Sequence, residues 1–288
     1  MRAASDRQYE ALSRFLVTFA KLRGGPEPAD LCIHKRLTPS DNAPAAAEPC
    51  GGKSAINEWL ADRVSRTAPR HVLDVGCGFG TLAAAINQNC SAKVSGINAS
   101  RFAISFGREY WSHRTPGKPM RLHHASFGDP IDGGPFDAVV TVEALGYADD
   151  LTTTFAWLAK LCAPGAAIWL LDDWAARDLD PQDPDLRAVC GHWHRRTFYT
   201  REAVATAALA CGFEVTDCQS LTHRVPATQR PPRRLRRWAL GLATQVLGAS
   251  RPGEIARAFL GGWFLESLYA RGLCAYELIE LRRHAGNA

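Results

Sequence analysis

The stretch VLDVGCGFGTLAAAI (Val72–Ile86) decides the fold. An apolar run ends in Asp74, glycines follow at 76, 78 and 80, and an apolar helical pattern begins at once. A buried strand, a tight turn and a helix in that order form the first unit of a doubly wound sheet, whose ligands sit at the carboxyl ends of the strands. Glycine closes such a turn and lets the backbone approach a ligand with no Cβ between them. Two other glycine loops are excluded. A GxGxxG dinucleotide fingerprint would place its third glycine at position 81, which is Thr81, and a phosphate loop needs Gly-Lys-Ser/Thr, which does not follow.

Working outward, KVSGIN (Lys93–Asn98) predicts a second strand and SRFAISFGREYW a helix. RLHHAS (Arg121–Ser126) predicts a third strand and FDAVVTVEAL (Phe136–Leu145) a fourth, with a helix over Asp150–Leu161. AAIWLLDDW (Ala166–Trp174) predicts a fifth, YTREAVATAALACG a helix, FEVTDCQSLT (Phe213–Thr222) a sixth and CAYELIELRR a seventh. Apolar strands alternating with helices predict a parallel sheet covered on both faces. The expected fold is α/β: a seven-stranded doubly wound Rossmann-like sheet with an N-terminal helical cap and a helical insertion between strands 6 and 7. The expected division is 1–53 cap and linker, 54–222 core, 223–272 a substrate-covering helical insertion, and 273–288 the final strand. His223–Gly272 is too long for a hairpin turn, and AFLGGWFLESLYAR within it reads as helical and apolar. Tyr9–Leu22 predicts an amphipathic helix that packs on the core or closes over it.

The 46% apolar and 22% charged residues make this an ordinary globular chain. No apolar run is long enough to span a bilayer, and the N-terminus lacks the layout of a secretory signal. Nine scattered cysteines, an odd number with no CxxC pair, fit a reducing, cytoplasmic setting. The net charge of +5 is uneven, because Arg224–Trp238 holds six arginines and no acid. Such a run binds phosphate, nucleic acid or acidic lipid, or is a solvated loop. No stacking-aromatic motif accompanies it, so nucleic acid is not expected as a partner. Cys190-Gly-His192-Trp-His194 alternates potential ligands, but no further ligands can be named, so no metal is assigned. A homo-oligomer is left open.

The motif VLDVGCGFG, in its strand–helix setting, resembles the first motif of class I S-adenosylmethionine-dependent methyltransferases, and the resemblance runs from about Ser54 to the C-terminus. It implies S-adenosyl-L-methionine as cofactor. Asp74 would hold the amino-acid end, and the backbone of Gly76, Cys77, Gly78 and Gly80 the rest. The ribose would lie at Asn98 and Ala99. Most of the family has Asp or Glu at 98, and an amide still both accepts and donates. The adenine would lie near His124, Ala125 and Ser126. Glu143, at the end of the fourth strand, would stand beside the methyl donor.

GINASRFAISFGRE and FDAVVTVEALGYADD resemble sterol C-methyltransferases. FLGGWFLESLYARGLCAYELIELRR is more similar to bacterial geranyl-diphosphate C-methyltransferases and related terpenoid methyltransferases. These resemblances imply a lipophilic small-molecule acceptor, no stable membrane insertion, and carbon methylation of a prenyl or terpenoid chain through a carbocation. Glu143 would stabilise the cation and take its proton, and Tyr276 falls on the family's tyrosine. Trp111, Trp174, Phe198, Tyr199, Trp263, Phe264 and Tyr269 are candidate cation-stabilising faces. A diphosphate substrate would call for Mg²⁺ and for Arg195, Arg196, His194 and the arginines of 224–237. Ala144 and Gly146 depart from the diphosphate-acting relatives, where a serine follows the glutamate. The alternative is therefore an O- or N-methyltransferase of a small natural product, with His123, His124 or His194 as base and Glu143 as a positioning residue. A non-catalytic binding module is a further alternative. An RNA methyltransferase would carry (N/D)PP(Y/F) after the fourth strand, where this chain has Val-Glu-Ala-Leu-Gly.

Overall fold

The computed structural model describes residues 2–39, 48–115, 120–226 and 234–285, with only the backbone described at 2, 3 and 234–239. In chain order the elements are α1 (Arg2–Leu22), α2 (Ala55–Arg66), β1 (His71–Val75), α3 (Thr81–Asn89), β2 (Lys93–Asn98), α4 (Arg101–Ser112), β3 (Arg121–His124) and β4 (Phe136–Val142). There follow α5 (Leu151–Leu161), β5 (Cys162–Ala175), α6 (Pro184–Trp193), α7 (Arg201–Ala210), β6 (Phe213–Ser220), α8 (Arg234–Leu247), α9 (Arg251–Ala270) and β7 (Cys274–Arg283). Side-chain caps start several helices. Ser100 accepts from the Ala103 amide at 3.1 Å and Thr200 from the Ala203 amide at 3.1 Å, each relieving an orphan donor of the first turn.

All seven strands form one sheet in the order β3-β2-β1-β4-β5-β7-β6. β1 pairs in parallel with β2 and β4, and β4 with β5. The sheet is not wholly parallel as expected, because β7 runs antiparallel between β5 and β6. A parallel strand there would need a crossover helix running back down the sheet. Instead α9 packs against α6 and α1, and the chain turns from Ala270 straight into Cys274. The strand order reverses between β1 and β4. Their carboxyl ends carry Gly76 and Glu143, and this switch point is where a doubly wound sheet holds its ligand.

Two apolar cores cover the faces. One joins the sheet to α2, α3, α4, α6 and α9, and the other joins it to α5 and α7. In β7, Tyr276 and Leu278 enter the first core while Ile279 and Leu281 enter the second. Helix α1 starts seven residues before the expected Tyr9, extended by the helix-forming Ala and Arg residues of its first turn. Strand β4 stops at Val142 rather than Leu145, because Glu143 turns into the left-handed region at φ +52°. Among the described residues no helix is long and apolar enough to cross a membrane.

Candidate active site

A cavity of about 540 Å³ opens at the switch point. This is within the size range of small-molecule sites, roughly 300–1,000 Å³. Its floor is the glycine loop, with Asn98, Ala99 and Ala125–Gly128 on one side and Glu143, Tyr147, Asp172 and Asp173 on the other. Tyr9, Leu12 and Leu16 of α1, Ala258 and Phe259 of α9, and Trp193 and His194 close it from above.

The loop turns through three positive φ angles, at Gly76 (+84°), Gly78 (+55°) and Gly80 (+81°). At Gly76 the need is also steric, since a Cβ there would lie 2.3 Å from the Ala144 Cβ. The amides of Gly76 and Cys77 both donate to the Ile97 carbonyl at 2.9 Å, and the Gly80 amide donates to the Cys77 carbonyl at 2.8 Å. These three N–H groups hold the loop together instead of facing a ligand, and Gly80 does not line the cavity. The loop's backbone therefore offers fewer donors than the sequence reading assigned to it.

Asp74 lies under the loop, 2% exposed. Helix α3 begins at Gly80, which has no capping side chain, and the Asp74 carboxylate accepts from the Ala83 amide in that first turn. Its Oδ2 has no hydrogen-bond partner in the structure. Burial raises the Asp74 pKa to about 7 against the single relieving amide. A buried acceptor left open beside a cavity suits an ammonium group, and the amino-acid end of S-adenosylmethionine carries one. The group fits this corner of the site.

Asn98 lines the cavity at the tip of β2, and its side-chain Oδ1 accepts from the Ser100 amide at 2.8 Å. Ala99, Ala125 and Ser126 also line it, joined by Phe127 and Gly128. His124 does not, and its Nε2 lies 3.0 Å from the Ala99 carbonyl. His123 is likewise off the cavity, so of the three candidate bases only His194 faces it.

Glu143 projects from a strained backbone position, costing on the order of 1 kcal/mol for a non-glycine residue. Its contacts converge on Oε1, which accepts from the Lys35 amide at 2.9 Å and from the Tyr276 hydroxyl at 2.9 Å. The Lys35 ammonium lies 3.5 Å from the same oxygen. Tyr276 is fully buried and does not line the cavity, so it stands behind Glu143 rather than touching a substrate. Burial, then the facing Glu143, raises its pKa well above that of an ordinary tyrosine.

Beneath lies a charged layer with no counterpart in the sequence reading. The Lys35 ammonium donates to Asp173 Oδ2 at 2.7 Å, and the Tyr269 hydroxyl donates to Asp173 Oδ1. Asp172 accepts from the Gly146 amide at 3.1 Å, and Arg195 lies 3.4 Å away. The Arg195 guanidinium also donates to the Thr197 and Asp173 carbonyls and stacks over Phe198 at 4.0 Å. Gly146 leaves room for it, since a Cβ there would lie 2.0 Å from the guanidinium carbon. Burial raises the Asp172 pKa, with Arg195 opposing.

His194, at φ +53°, faces the cavity from the end of α6. Its Nε2 has no hydrogen-bond partner and lies 3.8 Å from Glu254 Oε2 on α9. Burial lowers the His194 pKa, with Glu254 opposing.

Several sequence assignments are corrected. None of Trp111, Trp174, Phe198, Tyr199, Trp263, Phe264 and Tyr269 lines the cavity; Tyr9, Phe79, Phe127, Tyr147, Trp193 and Phe259 do. Of the expected phosphate-binding cations, Arg195 is committed to the buried layer. Arg224, 2% exposed, clasps the Thr38 and Pro49 carbonyls and Glu48. Arg196 lines the cavity and lies 3.3 Å from Asp149. Residues 227–233 and the side chains of 234–239, the rest of the arginine run, lie outside the described residues. Among the described residues no three His, Cys, Asp or Glu side chains cluster as a metal site, and His192 stacks on Phe264 at 5.7 Å.

A sequence model of the methyltransferase domain matches residues 52–217, which carry the loop, β4 and β5. The chain belongs to the methyltransferase-domain family. This chain is 29% identical over 111 residues to an O-methyltransferase of Penicillium expansum, covering 38% of this chain and 40% of that protein. It is 25% identical over 166 residues to the sterol 24-C-methyltransferase of Yarrowia lipolytica, covering 54% of this chain and 42% of that protein. The chain spans about half the length of the curated relatives it matches. Its fold is that of class I S-adenosylmethionine-dependent methyltransferases. One solved example is the geranyl diphosphate C-methyltransferase of Streptomyces coelicolor, with a TM-score of 0.63, 16% identity, and coverage of 96% of this chain and 97% of that one.

Proposed function

We propose that this protein transfers the methyl group of S-adenosylmethionine to a carbon of an uncharged lipophilic molecule, with a prenyl or terpenoid alkene as the acceptor. The observation that carries the reading is Glu143, a carboxylate held by Lys35 and Tyr276 and turned into a cavity rimmed by Leu12, Leu16, Ile33, Phe127 and Phe259.

When bound, S-adenosylmethionine would supply an electrophilic methyl on sulfur. Asp74 would hold its ammonium, Asn98 and Ala99 the ribose, and Ala125 and Ser126 the adenine. The alkene's π electrons form the new carbon–carbon bond as the methyl–sulfur bond breaks; that bond's electron pair stays on sulfur, S-adenosylhomocysteine leaves neutral at sulfur, and the positive charge passes to the acceptor. Glu143 stabilises that charge, and the ring faces of Tyr9 and Tyr147, packed edge to face at 5.3 Å, add to it. A proton then leaves the carbon for Glu143. Oε1 already has two donors, which leaves Oε2 to receive it. The helices above exclude water, which would otherwise quench the cation.

The lining argues for an uncharged acceptor. It holds seven carboxylates (Asp6, Asp74, Glu143, Asp149, Asp150, Asp172 and Asp173) against Arg195 and Arg196. A diphosphate would meet net negative charge.

The test is transfer of labelled methyl to prenyl alcohols, prenyl diphosphates, terpenoids, sterols and phenols, comparing wild type with Glu143→Gln. The expected outcome is label on carbon, reduced by about 10²–10⁴-fold in the variant with cofactor binding intact. Label solely on oxygen or nitrogen, with Glu143→Gln fully active, overturns the reading. The second reading, O-methylation with His194 as base, is favoured by His194 at the cavity, whose Nε2 makes no hydrogen bond.

A further inference from the structure

The segment 32–38 crosses the carboxyl ends of β4 and β5, and Lys35 is the residue that reaches into them. Its amide donates to Glu143 Oε1 at 2.9 Å and its ammonium to Asp173 Oδ2 at 2.7 Å. The ammonium lies 4.9 Å from the centre of the Tyr276 ring. The Lys35 side chain is 16% exposed and that of Asp173 2%. Around this ammonium stand Glu143 from the end of β4, Asp172 and Asp173 from β5, Tyr269 from α9, and Cys274 and Tyr276 from β7. Arg195 is the second cation of the layer, and it pairs with Asp172. Lys35 thus neutralises two carboxylates that Arg195 does not hold.

The rest of the segment is fastened elsewhere. His34 bonds Asn57 at 2.9 Å, Leu37 pairs with Gly52, and the Thr38 amide donates to the Arg224 carbonyl at 2.9 Å. Removing the lysine charge therefore leaves these anchors in place; Glu143 keeps its main-chain and Tyr276 donors and Asp173 keeps Tyr269, while both lose their cation.

We propose that Lys35 is a positioning residue that ties segment 32–38 to Glu143 and Asp173 and holds the Glu143 carboxylate aimed into the cavity. This rests on the reading of Glu143 as the working carboxylate. With the segment seated, one residue supplies Glu143 with a main-chain donor at 2.9 Å and a cation at 3.5 Å, and the same cation bonds Asp173 at 2.7 Å. Without the lysine charge, Glu143 and Asp173 are two neighbouring carboxylates whose repulsion is no longer offset, and the aim of Glu143 is lost.

The experiment compares full-length wild type, Lys35→Met and Lys35→Arg. It measures kcat, acceptor KM, affinity for S-adenosylhomocysteine, and amide hydrogen exchange across residues 31–38. The expected result for Lys35→Met is a fall in kcat of at least about tenfold with acceptor KM and S-adenosylhomocysteine affinity unchanged, a split that a merely structural role would not give. Exchange at the position-35 amide rises while that of the Thr38 amide does not, and Lys35→Arg restores kcat. Lys35→Gln replaces Lys35→Met if the latter does not fold. Wild-type kcat in Lys35→Met while Glu143→Gln is inactive overturns the positioning role alone. Full activity in Glu143→Gln overturns the carboxylate reading and the positioning role with it.

Discussion

Asp74→Asn tests the cofactor end of the site. Asp74 is nearly fully buried, its Oδ2 has no partner, and its pKa stands at about 7 against an ordinary 3.8. A carboxyl whose folded pKa is raised binds its proton more tightly folded than unfolded. The stability this confers is full below about pH 4 and is lost as pH rises to about 7. A displacement of roughly three units corresponds to about 4 kcal/mol at most, at about 1.4 kcal/mol per unit. The adjoining cavity admits water, so about 2–4 kcal/mol is the working range. Asparagine keeps the shape and never ionises. At pH 8 the variant without cofactor should be more stable than wild type by that amount, a rise of roughly 4–8 °C in Tm, while the difference should close as pH falls below about 4. Cofactor binding should move the other way, because the ammonium loses its counter-charge. Wild-type affinity for S-adenosylhomocysteine should rise between pH 5.5 and 8, and Asp74→Asn should show a flat, weaker profile. Thermal scans across pH and calorimetric titration provide both readings. Equal Tm at pH 8 together with equal affinity slopes would refute the placement of the ammonium at Asp74.

Gly76→Ala should cost about 2–5 kcal/mol, from strain at φ +84° and a Cβ 2.3 Å from Ala144. Adding Ala144→Gly should recover the steric part, read by denaturant titration. Tyr276→Phe removes one donor from a charged acceptor, so kcat should drop about 10–100-fold, the equivalent of roughly 1.5–3 kcal/mol, with acceptor KM unchanged. Arg224→Ala should destabilise by about 3–5 kcal/mol by stranding Glu48 and two carbonyls, without altering KM for any acceptor; a change in KM with unchanged Tm would return Arg224 to the substrate. For His194, a lowered folded pKa means stability present above about pH 6.5 and lost as pH falls. His194→Gln should therefore flatten the acid decline in Tm and leave carbon methylation intact; loss of transfer would favour the O-methylation reading.

The parts of the fold legible in the sequence are those written locally. Val72–Ile86 carries strand, turn and helix within one window, and the cavity floor at Gly76–Gly78 follows from it. Glu143 was legible because a strand end beside that loop is a defined place. Lys35 was not, since its partners lie 108 and 138 positions away and nothing in CIHKRL marks them. Asp172-Asp173 ended an apolar strand in plain view; two adjacent acids on a buried strand are the signal that points to a cation elsewhere. The aromatic candidates failed for a physical reason: large rings fill cores first, as the fully buried Trp174 shows, and the cavity rings come from the cap helices and loops. The direction of β7 was not legible, because strand periodicity is the same read either way.

The position of β7 also dictates an order of events during synthesis. Among the described residues β6 hydrogen-bonds to no strand other than β7, so after translation of residue 220 it waits through about fifty further residues, α8 and α9 among them, before a neighbour exists. Until Cys274–Arg283 leaves the ribosome, β5 and β6 both present open edges, the kind of surface on which nascent chains aggregate. The same late strand brings Tyr276 beneath Glu143. A chain that stops early therefore loses the carboxylate's support together with the closing of the sheet, and a cell that shields nascent chains during that interval governs how much working enzyme it obtains.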